Sequence, residues 1–126
     1  MENAVRRIRE RYLLALERIE HAARQAGRNP EDVRLVVVTK SHAIEVVQAV
    51  VDAGARYLGE NYVEEAIPKM LAVSERSGVE WHMIGHVQSR KARLVCQHFQ
   101  WVHSLDSIKL ARRMNRELEQ ANLSVS

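Results

Sequence analysis

Apolar residues near the start of the chain fall at Val5, Ile8, Tyr12, Leu16, Ile19 and Ala23. Gaps of three and four put them on one stripe of a long helix, predicted over residues 3 to 26 and stopped by Gly27 and Pro30. The period then changes. Leu35-Val36-Val37-Val38 is a short continuous apolar run rich in β-branched residues, as expected of a strand buried on both faces in a parallel sheet. Helix-like and strand-like stretches alternate from there. A helix is expected from Ile44 to Ala53, ending at Gly54, and a strand at Tyr57-Leu58-Gly59. A second helix follows from Val63 to about Glu75, with Pro68 either kinking it or marking a late start, and Gly78 breaks it. Trp81 to Gly85 reads as a third strand, and Ser89 to Phe99 as a third helix with Ala92, Val95, Cys96 and Phe99 on one side. Trp101-Val102-His103 reads as a fourth strand. Asp106 or Ser107 can cap a last helix running to about Ala121.

After its leading helix the chain therefore reads as four β-α units, which implies an α/β fold with a parallel sheet. Two architectures compete. A doubly wound dinucleotide-binding sheet carries a glycine-rich loop after its first strand. Here that loop is Thr39-Lys40-Ser41-His42, with no glycine, so a TIM-like (β/α) barrel is preferred. A complete barrel has eight units and usually about 250 residues; this chain supplies four. Half a barrel leaves open sheet edges, which invite pairing, so self-association or a second chain is expected to close it, unless the chain is an inactive fragment. Leu123-Ser124-Val125-Ser126 has the look of an unfinished strand.

Composition narrows the class. With 126 residues, 46% apolar and 28% charged, the chain can build one domain with a real core. No apolar run approaches the roughly 20 residues of a membrane span, and the arginine-rich start lacks a signal-peptide stretch. The net charge is +3. Two arginine groups, at positions 6, 7, 9 and 11 and at 112, 113 and 116, have Glu10, Glu17 and Glu20, or Glu117 and Glu119, nearby. They read as solvated helix faces rather than as a nucleic-acid surface. The single cysteine, Cys96, lies in an apolar stretch and reads as a buried thiol. These features favour a reducing, cytoplasmic setting.

Barrel chemistry gathers at the C-terminal ends of the strands. In this reading Thr39-Lys40, Gly59-Glu60-Asn61, Gly85-His86 and His103-Ser104 share one rim. Lys40 follows an apolar strand directly. At the mouth of an apolar barrel, desolvation would lower its pKa, and a neutral amine can attack an aldehyde; the plainer reading is a lysine leaving its strand for solvent. Asn61 could hydrogen-bond a ligand or cap the next helix. Glu60 could pair with Lys40 or stay solvated, and Tyr62 could stack on a ligand or pack beneath the rim. His42, His82, His86 and His103 raise the question of zinc, but no carboxylate or thiolate stands at ligand spacing, and no metal is expected. Gly85 would let backbone approach a ligand or a neighbouring strand. Gln88, Ser89 and Arg90 could meet an anion at a helix start, whereas Lys91 and Arg93 read as exterior charge. Trp81 and Trp101 read as packing residues. The sequence has no Ser-His-Asp arrangement, nucleophile elbow or P-loop.

Three segments in order, Val37-Val38-Thr39-Lys40, Gly59-Glu60-Asn61-Tyr62-Val63-Glu64-Glu65 and Trp81 through Lys91 (Trp-His-Met-Ile-Gly-His-Val-Gln-Ser-Arg-Lys), resemble the pyridoxal phosphate homeostasis family. That family has a single-domain barrel like the N-terminal domain of alanine racemase. The resemblance implies that residues 1–126 are the N-terminal half of one such barrel, with the C-terminal half absent. It implies that Lys40 holds pyridoxal 5′-phosphate (PLP) as a Schiff base, that Asn61 lies beside the cofactor, and that His82 is in the surrounding wall. It further implies a non-catalytic role in vitamin B6 homeostasis, with PLP-dependent enzymes as recipients; a racemase-like enzyme using the same lysine is the alternative. Two departures stand out. Many relatives have a second lysine where this chain has His42, and the family's phosphate cup and the arginine near the ring nitrogen belong to the half not present here.

Overall fold

A computed structural model describes residues 2–126. Helix α1 (Glu2–Gln25) leads through a 3-10 turn (Pro30–Asp32) into four strand–helix units. These are β1 (Val36–Val38) and α2 (Ile44–Asp52), β2 (Tyr57–Glu60) and α3 (Val63–Ala72), β3 (Glu80–Met83) and α4 (Ala92–His98), and β4 (Trp101–Val102) and α5 (Ile108–Ala121). The stop signals work through backbone geometry. Gly27 adopts φ 72°, which lets Arg28 N–H close on Ala23 O at 2.8 Å and satisfies a carbonyl of the last turn of α1. Of the two candidate caps for α5 it is Ser107 that serves, its hydroxyl accepting from Leu110 N–H at 3.1 Å.

Pro68 neither delays nor ends α3, and several element boundaries differ from expectation. α3 starts at Val63 and runs through Pro68. The bond that proline cannot donate is outweighed by the apolar face it extends, since Val63 and Ala66 are buried. The same helix stops at Ala72 rather than near Glu75. β3 ends at Met83 rather than Gly85, and the stretch from Ser89 opens as a 3-10 turn (Ser89–Lys91) before α4 begins.

All strand pairs are parallel and the order is β1-β2-β3-β4. Each strand lies beside its sequence neighbour, so the sheet is singly wound, whereas a doubly wound sheet reverses its order at a switch point. The register aligns Val38, Gly59, His82 and Trp101 across the four strands. Alternation divides the sheet into two faces. Leu58, Trp81 and Met83 face the helices and join Val47, Val50, Val95, Phe99 and Met114 in the core. The opposite face carries Val36, Val38, Tyr57, Gly59, Glu80, His82 and Trp101. Leu58 is fully buried while Val38 is 43% exposed, so the helices cover one face and leave the other partly open. Beyond β4, Ser126 N–H donates to Gln100 O at 2.9 Å and its carbonyl accepts from Val102 N–H at 2.6 Å. The expected strand start at residues 123–126 thus meets β4 through Ser126.

Candidate functional site

The rim is built where the strands end. β1 runs into a turn in which His42 N–H donates to Thr39 O at 3.2 Å, with Ser41 at φ 62°. Lys40 lies in that turn, two residues past β1, and Asn61 directly follows β2. His82 lies within β3 on the open face, in register with Gly59 and Trp101. The three residues singled out from the sequence therefore come from three neighbouring parallel strands or the loops that directly follow them. Lys40 itself is exposed, so the apolar mouth expected to desolvate it is not formed by the described residues.

Asn61 does not cap α3: the N-cap is Tyr62, and no side chain closes that first turn. Its backbone is instead fixed by contact. A Cβ at Gly85 would lie 2.4 Å from Asn61 O and 2.7 Å from Asn61 Cα, so only glycine lets the chain after β3 pass so close. The backbone that Gly85 admits is that of a neighbouring strand end. Tyr62 does not pack beneath the rim, being 60% exposed.

Glu60 neither pairs with Lys40 nor meets solvent. Alternation turns it to the helix side, where it is fully buried. Lys69 of α3 reaches it with Nζ 3.1 Å from Oε2, and the Thr39 hydroxyl donates to the same oxygen at 2.5 Å. The Lys69 ammonium also donates to the Thr39 carbonyl at 2.7 Å. This network was not visible in the sequence. No sequence signal singles out Lys69, and only the packing of α3 on β1 and β2 turns it inward.

The open face carries a second polar group. His82 Nδ1 and His103 Nε2 are 2.9 Å apart, so one donates and the other accepts. Their rings stack with centroids 5.2 Å apart, and His82 lies nearly parallel to Trp101 at 5.5 Å. Trp101 Nε1–H donates to Glu80 Oε1 at 2.9 Å. The result is a flat aromatic wall over β3 and the edge strand β4. Burial, with His103 beside it, pushes the His82 pKa below the ordinary imidazole value against the pull of Glu80. Its Nε2 is buried without a hydrogen-bond partner. His103 was expected only as a rim histidine; its coupling to His82 is a tertiary fact.

The four histidines do not converge. His86 is exposed beside Asp106, with Nδ1 3.4 Å from Oδ2, and among the described residues no three potential ligands gather as a metal site. A groove of about 590 Å³ opens between Asn61, Tyr62, His86, Gln88 and Arg90. Lys91 and Glu64 also line it and pair with each other, so Lys91, read from the sequence as exterior charge, is half-buried at the groove. Cys96 is buried, and burial raises its thiol pKa.

Rim and open face together suit part of an aldehyde cofactor. They offer an amine past one strand end, an amide past the next, a flat aromatic wall and one unpartnered ring nitrogen. The first turn of α3 carries Glu64 and Glu65, whose charge disfavours a phosphate at that helix start.

Fold and rim together define an α/β protein with a singly wound parallel sheet and polar groups at the C-terminal ends of its strands. Residues 14–126 match the model of the alanine racemase N-terminal domain, and the chain belongs to that family. It is 42% identical over 101 residues to the pyridoxal phosphate homeostasis protein of Escherichia coli (strain K12), covering 79% of this chain and 43% of that protein. Against the protein of the same name from Pseudomonas aeruginosa the identity is 40% over 110 residues, covering 87% and 47%. The chain thus spans less than half the length of these relatives. Among solved structures it is similar to PipY of Synechococcus elongatus PCC7942 with PLP bound, at TM-score 0.71 and 36% identity over 82% of this chain and 49% of that one. An unknown protein from Bifidobacterium adolescentis gives TM-score 0.89 at 30% identity, covering 99% and 55%.

Proposed function

We propose that this chain is a PLP-binding protein of intracellular vitamin B6 homeostasis that carries the cofactor as a Schiff base on Lys40. What supports the reading is that Lys40 stands exposed in the turn that directly follows β1, in a chain 36% identical to a protein solved with PLP bound. When bound, PLP supplies an electrophilic aldehyde. Lys40 is the residue that would hold it, its side-chain amine being the group suited to an imine with that aldehyde. Asn61 lies beside the cofactor, and His82, with its free Nε2, forms part of the wall. His42 stands where many relatives have a second lysine, so hand-over through such a lysine is not part of the proposal.

The role is holding and handing over a reactive aldehyde to PLP-dependent enzymes in the cytoplasm rather than catalysing turnover. Residues 1–126 form the N-terminal half of one (β/α) barrel. The open face, and the β4 edge that Ser126 already extends, are closed by further strands of the same or another polypeptide, which also bring the phosphate site. A racemase would need an acid opposite the lysine. Tyr62 is the exposed tyrosine at this rim, and an alanine racemisation assay with Tyr62→Phe tests that alternative. The main test is the near-visible spectrum with added PLP, followed by borohydride reduction and peptide mapping. The expected result is a trapped adduct at Lys40 that is lost in Lys40→Ala. Trapping elsewhere, or an equal yield in Lys40→Ala, refutes the assignment.

A further inference from the structure

Glu60 and Lys69 form the ion pair with both partners buried among the described residues. Such a pair seldom earns its place through stability. Desolvating both charges offsets their attraction, and neutral groups of like shape often serve the fold as well. What this pair does that an apolar pair could not is reach the backbone of β1. The ammonium donates to Thr39 O at 2.7 Å, one peptide bond from Lys40. The carboxylate neutralises it and accepts from the Thr39 hydroxyl. The same carbonyl accepts from His42 N–H, which closes the turn around Lys40. Within that turn Ser41 stands at φ 62°, a region L-residues seldom adopt unless their surroundings impose it.

We propose that Lys69 is a positioning residue for Lys40. From the helix side of the sheet it fixes the Thr39–Lys40 peptide, and so the direction in which the Lys40 side chain leaves the turn. Two lysines then serve one site: one in the core holds the frame, and one on the rim makes the bond. The inference rests on Lys40 being the attachment point. It adds that the rate of that attachment is set from the opposite side of the sheet. Small displacements of a reacting group slow reactions steeply.

The test compares the wild-type chain with the double variant Glu60→Gln/Lys69→Met, which removes both charges and keeps their volume. Two quantities are read: the rate of PLP attachment at Lys40 per folded molecule, and, without cofactor, amide hydrogen exchange at His42. The double variant is expected to stay folded, to attach PLP about tenfold more slowly, and to exchange the His42 amide about tenfold faster, as a loosened turn would. A double variant with both values within twofold of wild type overturns the inference, as does one in which attachment is unchanged while only the melting temperature moves. A wild-type chain that traps nothing at Lys40 overturns the attachment reading itself. The exchange rate at His42 then still decides whether Lys69 holds the turn.

Discussion

Gly85→Ala is a one-carbon change whose consequence follows from the backbone. Gly85 is not among the glycines at positive φ, so alanine suits the local conformation and any effect must come from contact. The added Cβ would meet Asn61 O at 2.4 Å, Asn61 Cα at 2.7 Å and Asn61 C at 2.9 Å, whereas real Cβ contacts essentially never fall below 3.0 Å. The two segments must therefore part by at least 0.6 Å, and what moves is backbone on both sides. Overpacking of this kind costs about 1–3 kcal/mol. For a chain of this size that is roughly 3 to 12 °C in melting temperature. Because the displaced atoms belong to Asn61, PLP affinity should fall by more than the loss of folded protein explains. Thermal unfolding by circular dichroism, with PLP titrations well below the melting range, separates the two effects. A variant melting within about 1 °C of wild type with unchanged PLP affinity would show that the Gly85–Asn61 approach constrains nothing.

Other consequences can be checked alongside. Lys69→Met alone leaves the Glu60 carboxylate fully buried without its cation, and urea unfolding should register a loss of about 3–5 kcal/mol; a loss as large in Glu60→Gln/Lys69→Met would contradict that account. His82 has its pKa lowered by burial and by His103, so the unfolded chain takes up a proton near pH 6.5 while the folded chain does not. Stability should be complete above that pH and decline as pH falls below it. His82→Phe should flatten the decline, and parallel curves for the two proteins would be evidence against it. Ser107→Ala removes the cap of α5 and should cost about 1 kcal/mol in the same unfolding assay. The buried Cys96 thiol, its pKa raised by burial, should resist iodoacetamide at neutral pH until denaturant is added; rapid labelling of the native chain would contradict its burial.

The sequence by itself determined the order of elements and the residues at the strand ends. Apolar periods of 3.6 and of continuous β-branched runs are local, and so are the glycine and serine signals that bound α1 and α5. The Thr39–His42 loop, without glycine, was enough to disfavour a doubly wound sheet, and the observed strand order agrees. Lys40, Asn61 and His82 could be named because strand ends and a family motif mark them.

Tertiary structure alone decided which way side chains face and whom they meet. Glu60 directly follows Gly59 in the chain yet points to the opposite side of the sheet, because strand alternation reverses at every residue. No local signal announces that Lys69, in a helix of ordinary amphipathic pattern, swings inward to meet it, or that His82 and His103, 21 positions apart, share a hydrogen bond. Gly85 read as a point of close backbone approach, to a ligand or to a neighbouring strand, and only the packed structure chooses the strand end at Asn61. These contacts join residues distant in sequence, and their energies depend on burial. Burial in turn is fixed only when helices and strands pack together.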